Sequence, residues 1–167
     1  IICIVAGTAT AYLKVRKNSK AARMFESAAS LTYALPGIVL ALAMIFHWTI
    51  VPGVYGTVKI LMIAYATRYV VLQIKGSTTA MLSVEPALEE AGRVFGAGKV
   101  TIWKKIMIPV MAKQILSSAF LIFVSSLTEL TLSSMLASAG TKTIGLTIFN
   151  LQQGGDYSLS AAMSAVI

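Results

Sequence analysis

Charge is what this chain has least of. Only 12% of its 167 residues are Asp, Glu, Lys or Arg, against 57% hydrophobic, and the mean hydropathy is +0.81. A soluble globular domain carries about 25% charged residues, so the composition excludes an ordinary soluble fold and points to a membrane protein. Acidic residues are scarcest: six, against fourteen basic ones, leave a net charge of +8. Nucleic-acid binding would need a basic patch on a soluble fold. Here the basic residues fall in a few clusters between apolar runs, so membrane lipid is the expected surroundings and nucleic acid is not a partner. The single cysteine, Cys3, excludes a disulfide framework or a cysteine-built zinc site within the chain. It lies in an apolar run and reads as a lipid-facing or packed small residue. The single histidine, His47, has no second histidine or carboxylate at ligand spacing. It reads as an interfacial helix-end residue, and neither a metal site nor a cofactor is expected.

What the chain does have is a succession of uncharged runs. Residues 27–58 contain no Asp, Glu, Lys or Arg, and 34–50 are the densest apolar part. A spanning helix needs about 20 residues. Spans are expected over about 1–13, 34–50, 57–74, 114–136 and 159–167, with a turn at "VPGVYG" (51–56) and a loop bearing a short helix over 137–158. Residues 1–13 could imitate a signal-peptide core, but no basic segment precedes them. With an apolar ending, "SAAMSAVI", the chain reads as a single transmembrane domain (1–167), cut inside a span at each end. If the spans alternate sides, segments 14–33 and 68–113 share a face, and twelve of the fourteen basic residues lie there. Basic residues favour the cytoplasmic side, so both clusters are expected to be cytoplasmic. The predicted fold is all-α, a polytopic transmembrane helical bundle with two short cytoplasmic helices. Ser117, Ser118, Ala119, Ser133, Ser134 and Ala161 fit close helix packing, because lipid offers no hydrophobic drive between helices.

The longest interruption is "LEEAGRVFGAGKVTIWKKIMIP" (88–109). Pro86 suits a first helical turn. Leu88, Ala91, Val94 and Phe95 then fall on one helical face, and Glu89, Glu90 and Arg93 on the other. Gly96-Ala97-Gly98 ends this helix, and a second starts near Lys99, with Val100, Trp103, Ile106 and Met107 on one face. Pro109 is expected to bend the chain into the next span. Such a pair of amphipathic helices can rest on lipid or dock in a groove of a cytosolic protein, and periodicity does not choose between them. Within the spans, Glu129 is the only carboxylate. An intramembrane carboxylate either faces a functional cavity or closes a helix end near the outer interface. Ser125, Ser126, Thr128 and Glu129, with Thr131, are candidates for a translocation path. Arg68 is expected to snorkel or to pair with a carboxylate.

One resemblance bears on the interruption. Glu90-Ala91-Gly92, three residues, Gly96, nine residues, Ile106, one residue, Ile108-Pro109 resembles the EAA loop of binding-protein-dependent ABC transporter permeases. That pattern reads Glu-Ala-Ala, three residues, Gly, nine residues, Ile, one residue, Leu-Pro. Gly92 for the second Ala and Ile108 for Leu are the departures. "TYALPGIVLALAM" (32–44) and the stretch 127–165 resemble the ferric-iron-type branch of that family. The resemblance implies an importer permease subunit in the bacterial inner membrane. Its loop (about 85–109) would couple ATP hydrolysis by a cytoplasmic ATP-binding subunit to alternating access, through Glu89, Glu90, Ala91, Gly92, Gly96, Ile106 and Pro109. It also implies an extracytoplasmic solute-binding protein and a second permease half, as a homodimer, heterodimer or fused chain. Ferric iron is the leading solute; phosphonate, polyamine and thiamine are the alternatives. No Gly-Lys-Ser/Thr phosphate loop is present, so the chain is expected to be non-catalytic. A passive membrane scaffold, or an intramembrane enzyme using Glu129 and His47, is the reading from a different class.

Overall fold

In a computed structural model, all of residues 1–167 are described, and every regular element is helical. The elements are α1 (Ile2–Val15), α2 (Lys20–Ala34), α3 (Gly37–Trp48), α4 (Val58–Leu82), α5 (Pro86–Val94), α6 (Lys99–Ile102), a π-helical turn (Trp103–Met107), α7 (Ile108–Leu127), α8 (Thr131–Leu136), α9 (Ile144–Gln153) and α10 (Tyr157–Ser164). They form two compact units, one of residues 1–30 with 69–122, the other of 31–68 with 123–167.

Local chemistry explains the breaks. Asn18 turns the chain after α1 with a left-handed φ of 50°, a conformation Asn tolerates better than most residues. The Ser19 hydroxyl then accepts from Ala22 N–H at 3.4 Å to open α2. Helix α2 carries the basic cluster onward as regular helix and stops before Pro36, whose ring disfavours helical conformation in the residue preceding it. Helix α9 opens on Thr143, whose side chain accepts from Leu146 N–H, and α10 opens on Asp156, which accepts from Leu159 N–H. Gly155, at φ 84°, makes the turn between them.

From Lys99 to Leu127 the chain is a continuous helix of 29 residues, about 43 Å at a 1.5 Å rise. That exceeds the roughly 30 Å of a bilayer's hydrocarbon core. It is the one helix that by itself is long and apolar enough to cross a membrane; α2 and α3 pass only if their broken pair counts as one span, and α1 is apolar but shorter. Pro109 does not interrupt the helix. The adjustment comes earlier, in the π-turn, where Ile108 N–H bonds to Trp103 O. A wider turn just before Pro109 lets a residue without an N–H sit in a continuing helix.

In the first unit, one core cluster gathers Ala80, Met81, Val84, Ile102, Met107 and Met111, and another gathers Ala29, Val70, Val71 and Ile74. Glu26 of α2 ties this unit together through Lys14 of α1 (2.6 Å) and Lys75 of α4 (3.9 Å). A small-residue contact does the same between α1 and α4: a Cβ on Gly7 would lie 2.7 Å from Gln73 Cβ. In the second unit the core is Leu40, Ala41, Ile60, Leu61, Ala64, Leu132 and Leu136.

Candidate functional site

The hairpin of α5 and α6 forms as its residues dictate. Pro86 occupies the first turn of α5. At the other end, Ala97 N–H bonds to Gly92 O and Gly96 N–H to Arg93 O, both at 2.9 Å. With Gly96 at φ 77°, this is a Schellman closure, which needs a residue free to enter the left-handed region. The hinge predicted at Gly96-Ala97-Gly98 is where the chain turns.

The faces of α5 are arranged less simply than its periodicity suggests. The side turned into the unit carries Glu89, only 9% exposed, and Gly92. A Cβ on Gly92 would stand 3.1 Å from Ile102 Cγ1 and 3.2 Å from Ile106 Cδ1. Glycine therefore suits the close crossing of α5 over the helix that follows, and the departure from Ala at this position has a packing reason. The apolar stripe faces out: Val94 is 85% exposed, Phe95 88% and, on α6, Val100 67%. Glu90 and Ala91 are exposed beside them, Ile106 is half-buried, and Pro109 is exposed. Of the predicted coupling residues, Glu90, Ala91 and Gly96 thus lie on the outer surface of the hairpin, while Glu89, Gly92 and Ile106 hold it.

Glu89 is held by a residue that periodicity does not single out. Arg16 Nε lies 2.6 Å from Glu89 Oε1. The contact is a close charge approach rather than an aligned hydrogen bond, since neither atom has a partner of proper bond geometry. Arg16 Nη2 also donates to Val84 O at 2.9 Å, and Arg93 Nη2 stands 4.0 Å from Glu89 Oε2. Tyr12 of α1 meets Trp103 edge-to-face, with ring centroids 5.1 Å apart. A cavity of about 600 Å³ opens here, bordered by Arg16, Lys17, Glu90, Arg93 and Lys99 among others. The basic cluster at 14–17 signals orientation in the sequence, but only the fold brings Arg16 to the hairpin.

The second unit holds Glu129, the carboxylate that the sequence places within a span. Glu129 lies in the break between α7 and α8. Its Oε1 accepts from Thr131 Oγ1 (2.5 Å) and from Leu132 N–H (3.0 Å), satisfying a donor that a helix start leaves open. Its Oε2 stands 3.8 Å from Arg68 Nε. Arg68 in turn donates to Leu35 O (3.2 Å), at the break before Pro36, and lies over the Tyr33 ring at 5.9 Å. Arg68 therefore pairs with a carboxylate, one of its two expected fates, and Glu129 closes a helix end. Alongside, Tyr65 Oη and Ser133 Oγ are 2.5 Å apart. The path candidates do not converge on one spot: Ser125 and Ser126 are half-buried on α7, whereas Thr128 is exposed and borders a mainly apolar cavity of about 440 Å³ with Gly145, Phe149 and Gln152. No group of three or more His, Cys, Asp or Glu residues is placed to hold a metal ion.

A third polar cluster, which no motif announces, lies in the first unit. Gln73 and Ser77 of α4 are fully buried. Gln73 Nε2 donates to Ser77 Oγ (3.1 Å) and to Ile115 O (3.4 Å), and Thr8 Oγ1 is 3.1 Å from Ser77 Oγ. Gln73 Oε1 has no partner.

Comparison with known proteins bears on what these arrangements serve. The family model described as "Binding-protein-dependent transport system inner membrane component" matches residues 3–167. Among curated proteins, the chain is 25% identical over 163 residues to the ferric transport system permease protein FbpB of Actinobacillus pleuropneumoniae, covering 96% of this chain and 24% of that protein. It is 21% identical over 140 residues to the Fe(3+)-transport system permease protein FbpB 2 of Haemophilus influenzae, covering 82% and 27%. The chain spans about a quarter of the length of these relatives.

Proposed function

The chain belongs to the family of binding-protein-dependent transport system inner membrane components, and from that premise we propose that it is part of the multi-pass permease of an ATP-driven importer. In this reading the α5–α6 hairpin lies in the cytoplasm and docks on an ATP-binding subunit, which carries the hydrolysis; the permease itself is non-catalytic. A solute-binding protein delivers solute from the other side, and a second permease half completes the translocation route. The observation that carries the reading is the outward apolar face of the hairpin. Val94, Phe95 and Val100 stand exposed beside Glu90 in a chain matched by the family model over nearly its whole length. Burying a large apolar side chain contributes about 2 kcal/mol, so these three supply docking energy, while Glu90 supplies a polar contact. Glu89, Gly92 and Ile106 shape the hairpin rather than touch the partner, and Pro109 lies beyond it in α7. Along the solute route we assign Ser125, Ser126 and Thr128; Glu129 is held by Arg68 and by the start of α8.

The proposed solute is ferric iron, after the relatives named above; phosphonate, polyamine and thiamine are the competing solutes. The test is the full-length permease assembled with its ATP-binding subunit and binding protein in proteoliposomes. Glu90→Lys is expected to abolish solute-stimulated ATP hydrolysis while leaving the helical content intact, and unchanged stimulation would refute the docking role. Uptake of labelled iron, measured against the three other solutes, decides the substrate.

A further inference from the structure

The hairpin is joined to the rest of its unit by its two chain ends and, through side chains, by α1. Helix α6 continues through the π-turn into α7 as one helix, so a push on α6 is passed directly along that span. Helix α5 has no such continuity. It is preceded by a short non-helical link, residues 83–85, and followed by Gly96 at φ 77°. Neither end of α5 runs on as regular helix. Its orientation is set by Gly92 against Ile102 and Ile106 and by α1, whose Arg16 lies 68 residues before its hydrogen-bond partner Val84. Arg16 grips the link itself through Val84 O, and grips the body of α5 through Glu89. The two side chains are 16% and 12% exposed, so water competes little. One turn back on α1, Tyr12 holds Trp103 at the root of the second helix.

We propose that Arg16 and Glu89 are positioning residues that fasten α5 to the end of α1, making α1 a second output of the docking hairpin. The inference rests on the docking reading above. A largely buried ion pair adds little net stability against apolar replacements, because desolvation offsets most of the attraction. Its directional demand is strong, however, since neither charge tolerates losing the other. A contact of this kind at a helix bounded by non-helical links therefore helps to fix its orientation. Glu90, its neighbour, faces outward and is free to meet the partner, so the adjacent carboxylates divide two tasks between them.

The experiment uses the assembled full-length transporter in proteoliposomes and measures solute moved per ATP hydrolysed, alongside retention of the ATP-binding subunit. Arg16→Glu and Glu89→Arg are each expected to lower that ratio on the order of tenfold, a coupling within the range for one ion-pair network, with the ATP-binding subunit still bound. The double exchange, Arg16→Glu with Glu89→Arg, restores the ion pair but not the donor to Val84 O, and is expected to recover part of the loss. Arg16→Lys keeps the charge but not the fork that reaches Val84 O, and is expected to fall between. If the charge reversals do not assemble, Glu89→Gln carries the same test. A ratio unchanged in Glu89→Gln and in both reversals overturns the proposal, as does a double exchange no better than the worse single. If Glu90→Lys uncouples while these variants do not, the fastening role alone fails. If the unaltered permease never retains an ATP-binding subunit, the docking reading fails first.

Discussion

Replacing Arg68 by methionine isolates what the ion pair with Glu129 contributes. The substitution keeps the aliphatic stem and removes the guanidinium. Glu129, 9% exposed at its side chain, then keeps its bonds to Thr131 and Leu132 but loses the cation of its ion pair. Breaking a buried pair on one side costs about 3–5 kcal/mol. The 3.8 Å separation and the 17% exposure of Arg68 place this case at the low end, near 3 kcal/mol, with about 1 kcal/mol more for the lost bond to Leu35 O. Glu129→Gln is milder: its carbonyl oxygen can still accept from Leu132 N–H, and Arg68 retains Leu35 O and the Tyr33 ring, so about 1–2 kcal/mol is expected. The double variant is expected to be clearly less damaged than the sum of the singles, because no uncompensated charge remains. The assay is reversible denaturant unfolding of the full-length permease in bicelles, followed by circular dichroism, for the four proteins of the cycle. An additive cycle, or Glu129→Gln more damaging than Arg68→Met, would refute the reasoning.

Other substitutions probe the remaining contacts. Gly7→Ala places a Cβ within 2.7 Å of two Gln73 side-chain carbons and 3.0 Å of its backbone carbon, so a loss of about 1–3 kcal/mol from overpacking is expected in the same unfolding assay. Gln73→Leu removes a buried acceptor without a partner together with the two bonds that its Nε2 makes, and Ser77 keeps Thr8; a change within about 1 kcal/mol is expected, and a larger loss would mean that the amide is needed. Gly96→Ala meets no neighbouring atom but must adopt φ 77°, which costs about 1–2 kcal/mol of local stability, read as faster amide exchange over α5. Phe95→Ala should leave unfolding unchanged, since the ring is 88% exposed, yet weaken ATP-binding-subunit affinity about tenfold or more if docking buries it; equal affinity would exclude Phe95 from the interface.

Much of this arrangement was legible in the residues, for identifiable reasons. Apolar runs located α1, α3, α4 and α7 because partition into a nonpolar medium depends on summed composition. The Gly96 hinge was legible because few other residues enter that backbone region cheaply. Three features were not. Periodicity put Leu88, Ala91, Val94 and Phe95 on one face, but the face turned into the unit is the one with Glu89 and Gly92, since a moment says which side is apolar and not what it meets. The run 114–136 reads as one span, yet it breaks at 128–130, because the carboxylate of Glu129 can cap a new helix locally and hydropathy does not register that. Pro109 reads as a bend, but the π-turn ahead of it absorbs the missing donor, a compensation written in backbone geometry rather than in residue type.

The same physics inverts the usual signs of burial. In water, a buried apolar side chain marks the core and an exposed one invites explanation. In this chain Leu116, Phe120, Leu121 and Phe123 of the long helix are all more than half exposed, and their surroundings as an apolar solvent satisfy them. Exposure of Phe95 and Val94 has a different meaning only because they lie on a segment with charged neighbours, Glu90 and Arg93, that cannot follow them into hydrocarbon. The informative residues are instead the buried polar ones, which lipid would reject. Each set sits where helices must be fixed in relation to one another: Gln73, Ser77 and Thr8 between α4 and α1, Arg68 and Glu129 between the breaks after α2 and α7, Arg16 and Glu89 between α1 and α5. Without a hydrophobic drive to bring helices together, such polar contacts supply the geometry that apolar packing supplies in a soluble core. Substitutions there should therefore alter coupling and helix arrangement before they alter membrane insertion, and a loss of insertion with coupling preserved in the remaining inserted fraction would contradict that assignment.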